Sequence, residues 1–490
     1  LFVWVPLALA WAWGARVKQE VFGDTDMRFL LKNIGPIGEA EIDLADLTII
    51  CGENNTGKTY VTYAICGFLH YWEVGFTHGV LGNMRQGTIP HENLRFDLKR
   101  IFSGKMNDYL RKAADAYTAE LPMILGCKPD SNRVSQIEVS VDEPPEFSVR
   151  SSRRVLRWGG SPDVAVAIHS EADNGTLTVV MYDEAEHHAW LDYHIAESMT
   201  ELVASRYFPR VHISCAERTG VAIFRGALAS LRDRTSRFRD ESISGAAQKN
   251  FTMDGMTRGD VCYATPVMYC IDDSLRMEMT AKRQSELSET HPDILRAFGD
   301  LIAGDFEVDE TGIYYQSHAP GVPRLAMSEA SSCVRALVDL GLYLRHKAKV
   351  GDLLMIDEPE LSLHPNKQRE LARLLARLVN AGIKVFLTTH SDYIIKEFNA
   401  LIMMNQRLEH TIQVQRDEQY DDAELLDPNR VRLYATGRRP GGSGGDEHSA
   451  GMETLIPAKI YPDVGIDVPA FDEIILKMNR IQDELLYGGD

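Results

Sequence analysis

The chain has 490 residues, 44% of them hydrophobic and 25% charged, a balance that supplies a sizeable core and excludes global disorder and repetitive architectures. Its 71 Asp and Glu against 52 Lys and Arg leave a formal charge of −19, so bulk electrostatics do not make it a nucleic-acid binder, and any polyanion would need a local basic surface. Seven cysteines without a CxxC pair exclude a disulfide framework and a zinc ribbon. A reducing, cytoplasmic setting fits them, with Cys51, Cys66 and Cys215 as small core residues.

Residues 1–26 open with LFVWVPLALAWAWGA, shorter than the ~20 residues that span a bilayer and interrupted by Pro6. The run lacks the basic segment that precedes the apolar part of a secretory signal. Met27 stands directly before the first good strand, so residues 1–26 are expected to be an upstream extension outside the fold, with no membrane partner.

From Met27 the pattern predicts strands over 28–33 and 39–44 around a Gly35–Pro36 turn, then the apolar strand LTIICG ending at Gly52. A glycine-containing loop and the helical stretch TYVTYAICGFLHYW follow, the order that opens an α/β nucleotide-binding unit. Residues 76–320 read as a mixed α+β insertion. Helical character runs over 92–126, β-rich alternation over 134–213, helices return over 222–240 and 274–303, and FEVDETGIYYQS predicts a hairpin around Thr311–Gly312. No sustained heptad is present, so no long coiled-coil arm is expected.

After residue 325 the pattern is a helix over 331–347, the strand DLLMIDEP, a helix over 366–381, the strand IKVFLTTH and a helix from Tyr393. The unbroken apolar runs LLMI and VFL have the character of parallel strands buried on both faces. Residues 437–451 (GRRPGGSGGDEHSAG) read as a flexible loop. Residues 452–490 read as a helical tail, with an amphipathic helix over 470–486.

Three motifs carry chemistry. GENNTGKT matches GxxxxGK[ST] in full and lies between a strand and a helix. In it Gly52, Glu53, Asn54, Asn55, Thr56 and Gly57 form a loop whose backbone N–H groups can surround phosphate oxygens. Lys58 is placed to reach the β- and γ-phosphates, and Thr59 to offer its hydroxyl to Mg²⁺. In LLMIDEPE a buried strand delivers two adjacent carboxylates, Asp357 to hold Mg²⁺ and Glu358 to deprotonate the attacking water. His390 ends the strand VFLTTH; alone it reads as structural, but after the other two motifs it is placed to sense the γ-phosphate.

Together GENNTGKT, LMIDEPELSLHP and FLTTHSDYI resemble the ABC-type ATPase heads of the SMC, RecF and OLD-like group, over residues 27–67 and 325–403. The resemblance implies an α/β P-loop head that binds ATP and Mg²⁺, in two parts at 27–75 and 321–436. It further implies a homodimer, or higher homo-oligomer, in which two heads sandwich ATP. Leu361–Pro365 would then be the D-loop at the interface. The signature element departs from the family pattern: MSEASSCVRAL replaces Ser-Gly-Gly, and Cys333 stands where a glycine would allow close approach. Ser331 and Ser332 could supply the hydroxyl for the opposing γ-phosphate, with Ser328 as a second register, or Ser331 could simply cap its helix. No Q-loop glutamine is assigned; Glu217 and Arg218 in ISCAERTGV occupy a plausible phosphate-proximal position.

The arginines at 225, 232, 234, 237 and 239 are interspersed with acids and read as a solvated helix face. The acidic stretch 417–427 reads as a polar loop rather than the metal site of a Toprim nuclease. Without a nuclease module of its own, the chain resembles the ATPase partners of bacterial phage-defence systems such as PARIS. In these, nucleotide-driven assembly controls a separate effector, for example a nuclease. The alternatives are a RecF-like DNA-maintenance ATPase and a nucleotide-gated scaffold with incidental hydrolysis.

Overall fold

In the computed structural model of the chain, the described residues are 27–87, 89, 94–127, 135–142, 152–157, 164–171, 175–181, 189–242, 263–438, 452–467, 480, 481 and 484. The expected extension at 1–26, residues 439–451 of the expected loop and nearly all of 470–486 lie outside them.

β1 (Met27–Ile34) and β2 (Ile37–Leu44) form an antiparallel hairpin, and β3 (Leu47–Cys51) leads into the P-loop, as predicted. Gly35 in the hairpin turn has φ +55, and a Cβ there would lie 2.6 Å from the Tyr60 ring, so a side chain is excluded twice over. α1 (Lys58–Arg85) runs well past the predicted stretch, because Trp72, Phe76 and Val80 extend its buried face at helical spacing.

The helical region expected over 92–126 is divided. β4 (Arg95–Asp97) precedes α2 (Leu98–Phe102) and α3 (Met106–Ile124). The division has a local cause: the Asp97 carboxylate accepts from the Arg100 N–H at 3.0 Å and starts a new helix. β5 (Gln136–Val141), β6 (Ser152–Arg157), β7 (Val164–Glu171) and β8 (Thr176–Met181) follow the predicted alternation. Within the same β-rich region α4 (Ala189–Ala204) corrects the reading: Leu191, Ile195, Met199 and Val203 recur at helical spacing and are buried.

β9 (Val211–Ser214) and α5 (Arg218–Ser242) come next, then α6 (Thr265–Thr280), α7 (Glu286–Thr290) and α8 (Pro292–Ile302). The predicted hairpin is β10 (Gly304–Asp309) and β11 (Gly312–Ser317), to which β12 (Leu325–Ala326) adds. α9 (Ser332–His346), β13 (Leu353–Asp357), α10 (Pro365–Asn380), β14 (Lys384–Thr389) and α11 (Asp392–Met404) then match the prediction within a residue or two, and α12 (Glu409–Asp417) follows. β15 (Val431–Arg438), β16 (Glu453–Pro457), β17 (Lys459–Tyr461) and β18 (Gly465–Asp467) were not expected. The helical tail expected from 452 therefore begins as strands. Glu453–Pro457 pairs antiparallel with the preceding β15 and parallel with β2, which lies far away in sequence.

Among the described residues nine strands form one sheet, ordered β5-β1-β2-β16-β15-β3-β14-β13-β9. β15, β3, β14, β13 and β9 are mutually parallel, and β1 pairs antiparallel with β2 and β5. A second sheet, β4-β8-β7-β6, belongs to the insertion. The parallel strands are buried on both sides. Leu353, Met355 and Phe386 face one core with α1, α3, α4 and α6, while Leu354, Ile356, Val385 and Leu387 face another with α8 to α11. Strand alternation thus feeds two helical layers, the arrangement of an α/β P-loop ATPase head. No long coiled coil occurs among the described residues, and no helix there is long and apolar enough to cross a membrane.

Candidate functional site

The C-terminal ends of the adjacent parallel strands β3, β14, β13 and β9 open on one edge of the sheet, where α/β folds bind ligands. After β3 the loop turns through Gly52 (φ +144), Asn55 (φ +63) and Gly57 (φ +97), all in backbone regions that side chains disfavour. A Cβ on Gly52 would lie 1.8 Å from Thr436 Oγ1, and one on Gly57 would lie 2.9 Å from Ile37. Glu53, Asn54 and Asn55 are exposed, and the Thr56 hydroxyl donates to the Glu53 carbonyl at 2.8 Å. Lys58 is buried; its ammonium donates to the carbonyls of Gly52 (3.0 Å) and Glu53 (2.7 Å). Burial pulls its pKa down, and the nearby Glu358 and Asp357 carboxylates oppose that shift.

Asp357 is fully buried at the end of β13. It accepts from Thr59 Oγ1 at 2.9 Å, joining two motifs 298 residues apart, and from the Thr388 hydroxyl on β14. Burial raises its pKa; the two hydroxyl donors oppose this, and the negative charges of Glu358 and Glu217 add to it. Mg²⁺ in phosphate sites takes one or two protein oxygens and completes its shell with phosphate and water. The Thr59 hydroxyl and Asp357 carboxylate are a donor set of that kind.

Glu358 adopts φ +51. Its N–H donates to the Thr388 carbonyl at 3.2 Å and to the Thr388 hydroxyl at 3.1 Å. The left-handed turn sends its carboxylate toward the next strand, with Oε1 3.9 Å from His390 Nδ1. His390 is held by Glu360, whose Oε1 accepts from the His390 N–H and the Thr389 hydroxyl, each at 2.8 Å, and lies 3.3 Å from His390 Nδ1. Glu360 Oε2 is buried without a partner.

Ser331 is the N-cap of α9: its hydroxyl accepts from the Val334 N–H at 3.3 Å. Ser331 and Ser332 are exposed, and neither hydrogen-bonds to residues 52–59 within the chain. In the expected D-loop, Ser362 has φ +63, and His364 caps α10 by accepting from the Asn366 N–H at 3.3 Å.

The structure thus gathers Lys58, Thr59, Asp357, Glu358 and His390 and leaves the serines apart. It also adds Glu360 and Thr388, which carried no assigned role in the sequence, and gives contacts to Glu217 and Arg218, read there as phosphate-proximal. Glu360 lies inside a quoted motif and Thr388 two residues before His390. Glu217 accepts from the Tyr63 hydroxyl at 3.0 Å, one turn of α1 beyond Thr59. Arg218 donates to the carbonyls of both Asp357 and Glu358. Their position directly after an apolar strand, in RVHISCAERTGV, is the sequence signal that marks both.

Part of the acidic stretch is tied up internally. Asp421 and Glu424 pair with Arg377, Glu424 also with Arg373, and Asp422 with Arg407. Arg225 donates to the Ser274 carbonyl at 2.9 Å; the side chains of Arg232, Arg234, Arg237 and Arg239 lie outside the described residues.

Residues 278–395 match the family described as AAA ATPase domain. That stretch carries α9, Asp357, Glu358, Glu360 and His390 but not the P-loop, which the geometry above joins to it. No curated protein matches the chain. Among solved structures, the SMC head domain from Thermotoga maritima is 13% identical, with 89% of this chain and 99% of that one covered at a TM-score of 0.29. An SMC head bound to the C-winged helix domain of ScpA is 11% identical, with coverage of 88% and 97% and a TM-score of 0.35. An SMC head with an extended coiled coil, bound to the C-terminal domain of ScpA derived from Pyrococcus furiosus, is 12% identical, with coverage of 94% and 100% and a TM-score of 0.34. At TM-scores this low the likeness is a loose one.

Proposed function

We propose that the protein is a Mg-ATP-binding and hydrolysing ABC-type ATPase whose nucleotide-driven assembly controls a separate effector. The observation that carries the reading is the 2.9 Å bond from Thr59 to Asp357, which brings the P-loop and the acidic strand end to one point. Lys58 and the loop N–H groups bind the phosphates. A divalent ion held by Thr59 and Asp357 would offset phosphate charge. Glu358 takes a proton from the attacking water, and His390, aligned by Glu360, contacts the terminal phosphate.

Ser331 and Ser332, exposed at the start of α9, support an assembly in which they face the phosphates of a second copy. The cap already formed by Ser331 leaves Ser332 the freer hydroxyl, and the departure of MSEASSCVRAL from Ser-Gly-Gly supports, as second reading, a nucleotide-gated scaffold with incidental hydrolysis. Control of an effector in anti-phage defence rests on the resemblance of the motifs to such ATPase subunits.

Size-exclusion chromatography with light scattering tests this on wild type without nucleotide, wild type with ATP, and Glu358→Gln with ATP, alongside phosphate release. The expected result is that mass at least doubles with ATP and stays doubled in Glu358→Gln, while release falls by roughly a hundredfold or more. Unchanged mass with intact hydrolysis would remove the sandwich assembly. Absence of ATP binding would remove the whole reading. An effect of Glu358→Gln on hydrolysis but not on effector control would favour the scaffold.

A further inference from the structure

Arg218 opens α5 directly beyond β9 and is only 3% exposed. A guanidinium this deeply buried ordinarily pairs with a carboxylate, yet among the described residues Arg218 forms no ion pair. Its four hydrogen bonds all go to backbone carbonyls: Nε to Ala336 (2.8 Å), Nη1 to Cys215 (3.0 Å) and Asp357 (2.7 Å), and Nη2 to Glu358 (2.6 Å). These belong to three separate segments, the end of β9, the second turn of α9 and the turn that follows β13.

The Glu358 contact bears on chemistry. Glu358 sits in a left-handed backbone conformation that a side chain disfavours, and both of its backbone polar groups are held. Thr388 takes its N–H from the β14 side; the Glu358 carbonyl accepts from Arg218 on the β9 side at 2.6 Å and, more loosely, from the Leu361 N–H within the turn at 3.2 Å. With both backbone groups of the residue held, the direction of its Cα–Cβ bond, from which the carboxylate extends, is set by the main chain. The same guanidinium fixes Ala336, so α9, with Ser331 and Ser332 at its start, cannot shift against the Glu358 turn without breaking this node. α5 carries the node outward, toward the exposed Ile223 and Phe224, and Cys215 N–H also meets Cys270 Sγ of α6 at 3.3 Å. Lysine could not replace this arrangement, since its donors radiate from one atom, whereas the planar fork reaches several acceptors at once.

We propose that Arg218 is a positioning residue for hydrolysis: it holds the Glu358 turn and locks that turn to α9, so turnover depends on its fork geometry while nucleotide binding does not. The proposal rests on the ATPase reading above.

The test compares Arg218→Lys and Arg218→Gln in wild-type and Glu358→Gln backgrounds, measuring the Kd of a fluorescent ATP analogue, kcat for phosphate release and cooperativity of melting. Arg218→Lys is expected to lower kcat by about tenfold or more with Kd within about threefold, and to lower the residual rate of Glu358→Gln by less than about twofold, because the two residues act as one unit. A kcat within about twofold of wild type overturns the proposal. So does an equal loss in both backgrounds, which marks a generic structural effect. Loss of cooperative melting and nucleotide binding in both Arg218 variants assigns the residue to folding alone and also overturns it. If wild type itself shows no turnover, the ATPase reading fails and takes the proposal with it; intact wild-type turnover with intact Arg218→Lys turnover overturns the proposal only.

Discussion

The parallel half of the main sheet and the insertion packed on it are specified in different ways. β3, β13 and β14 are five- or six-residue strands, almost wholly buried, and each ends directly in the residues of the site. The stretch that makes the strand also carries the chemistry. The insertion helices α3, α4 and α6 instead join the core through apolar side chains scattered along the chain, with a few polar contacts between distant residues among them. Thr77 donates to Thr200 at 3.0 Å, the Tyr117 hydroxyl to the Ala64 carbonyl at 2.7 Å, and His212 sits between Asp273 and Asp339. The first region is legible from contiguous residues, the second only once the chain is folded.

The largest effect should come from the P-loop. Gly52→Ala places a Cβ against Thr436 at φ +144, and ATP affinity should fall by about a hundredfold, read by titration with a fluorescent analogue. Wild-type affinity in this variant would show that the loop is not held by β15. A smaller effect is expected from Glu360→Ala, which strands the His390 N–H and the Thr389 hydroxyl. It should cost about 1–3 kcal/mol in denaturant unfolding, together with reduced turnover; full turnover would remove Glu360 from the alignment of His390.

The subtlest test addresses the contact between insertion and core. Asp273 on α6, Asp339 on α9 and the stacked Tyr343 ring face His212, with Lys347 beside Asp273 and His70 of α1 nearby. Burial lowers the pKa of this imidazole, but the carboxylates overcome it and push the value up to about 9 from the ordinary 6.5. A raised pKa in the fold means that the stabilisation is complete below 6.5 and is lost as pH rises through about 9. The melting temperature of wild type should therefore exceed that of His212→Gln at pH 6, and the gap should close toward pH 10. A gap independent of pH would show that His212 packs there uncharged.

Much of the site was legible because a phosphate-binding loop must be contiguous: successive backbone N–H groups and one lysine surround one group of charges. The pair Asp357–Glu358 and His390 were readable for a similar reason, since each stands at the end of an apolar strand. α4 was missed inside a β-rich stretch because its burial is made by α1, not by its own neighbours. β15 and β16 were missed because short strands gain their stability from partners, and theirs are β3 and β2, hundreds of residues earlier.

The sequence by itself determined the strand–loop–helix at Gly52–Thr59, the carboxylates at the end of β13 and the α/β class, all of which rest on local periodicity and backbone geometry. Only the tertiary structure decided that Thr59 meets Asp357, that Glu360 aligns His390, and that Arg218 gathers carbonyls from three segments. A backbone carbonyl is the same in every residue, so no side-chain pattern can announce which ones a buried arginine will find.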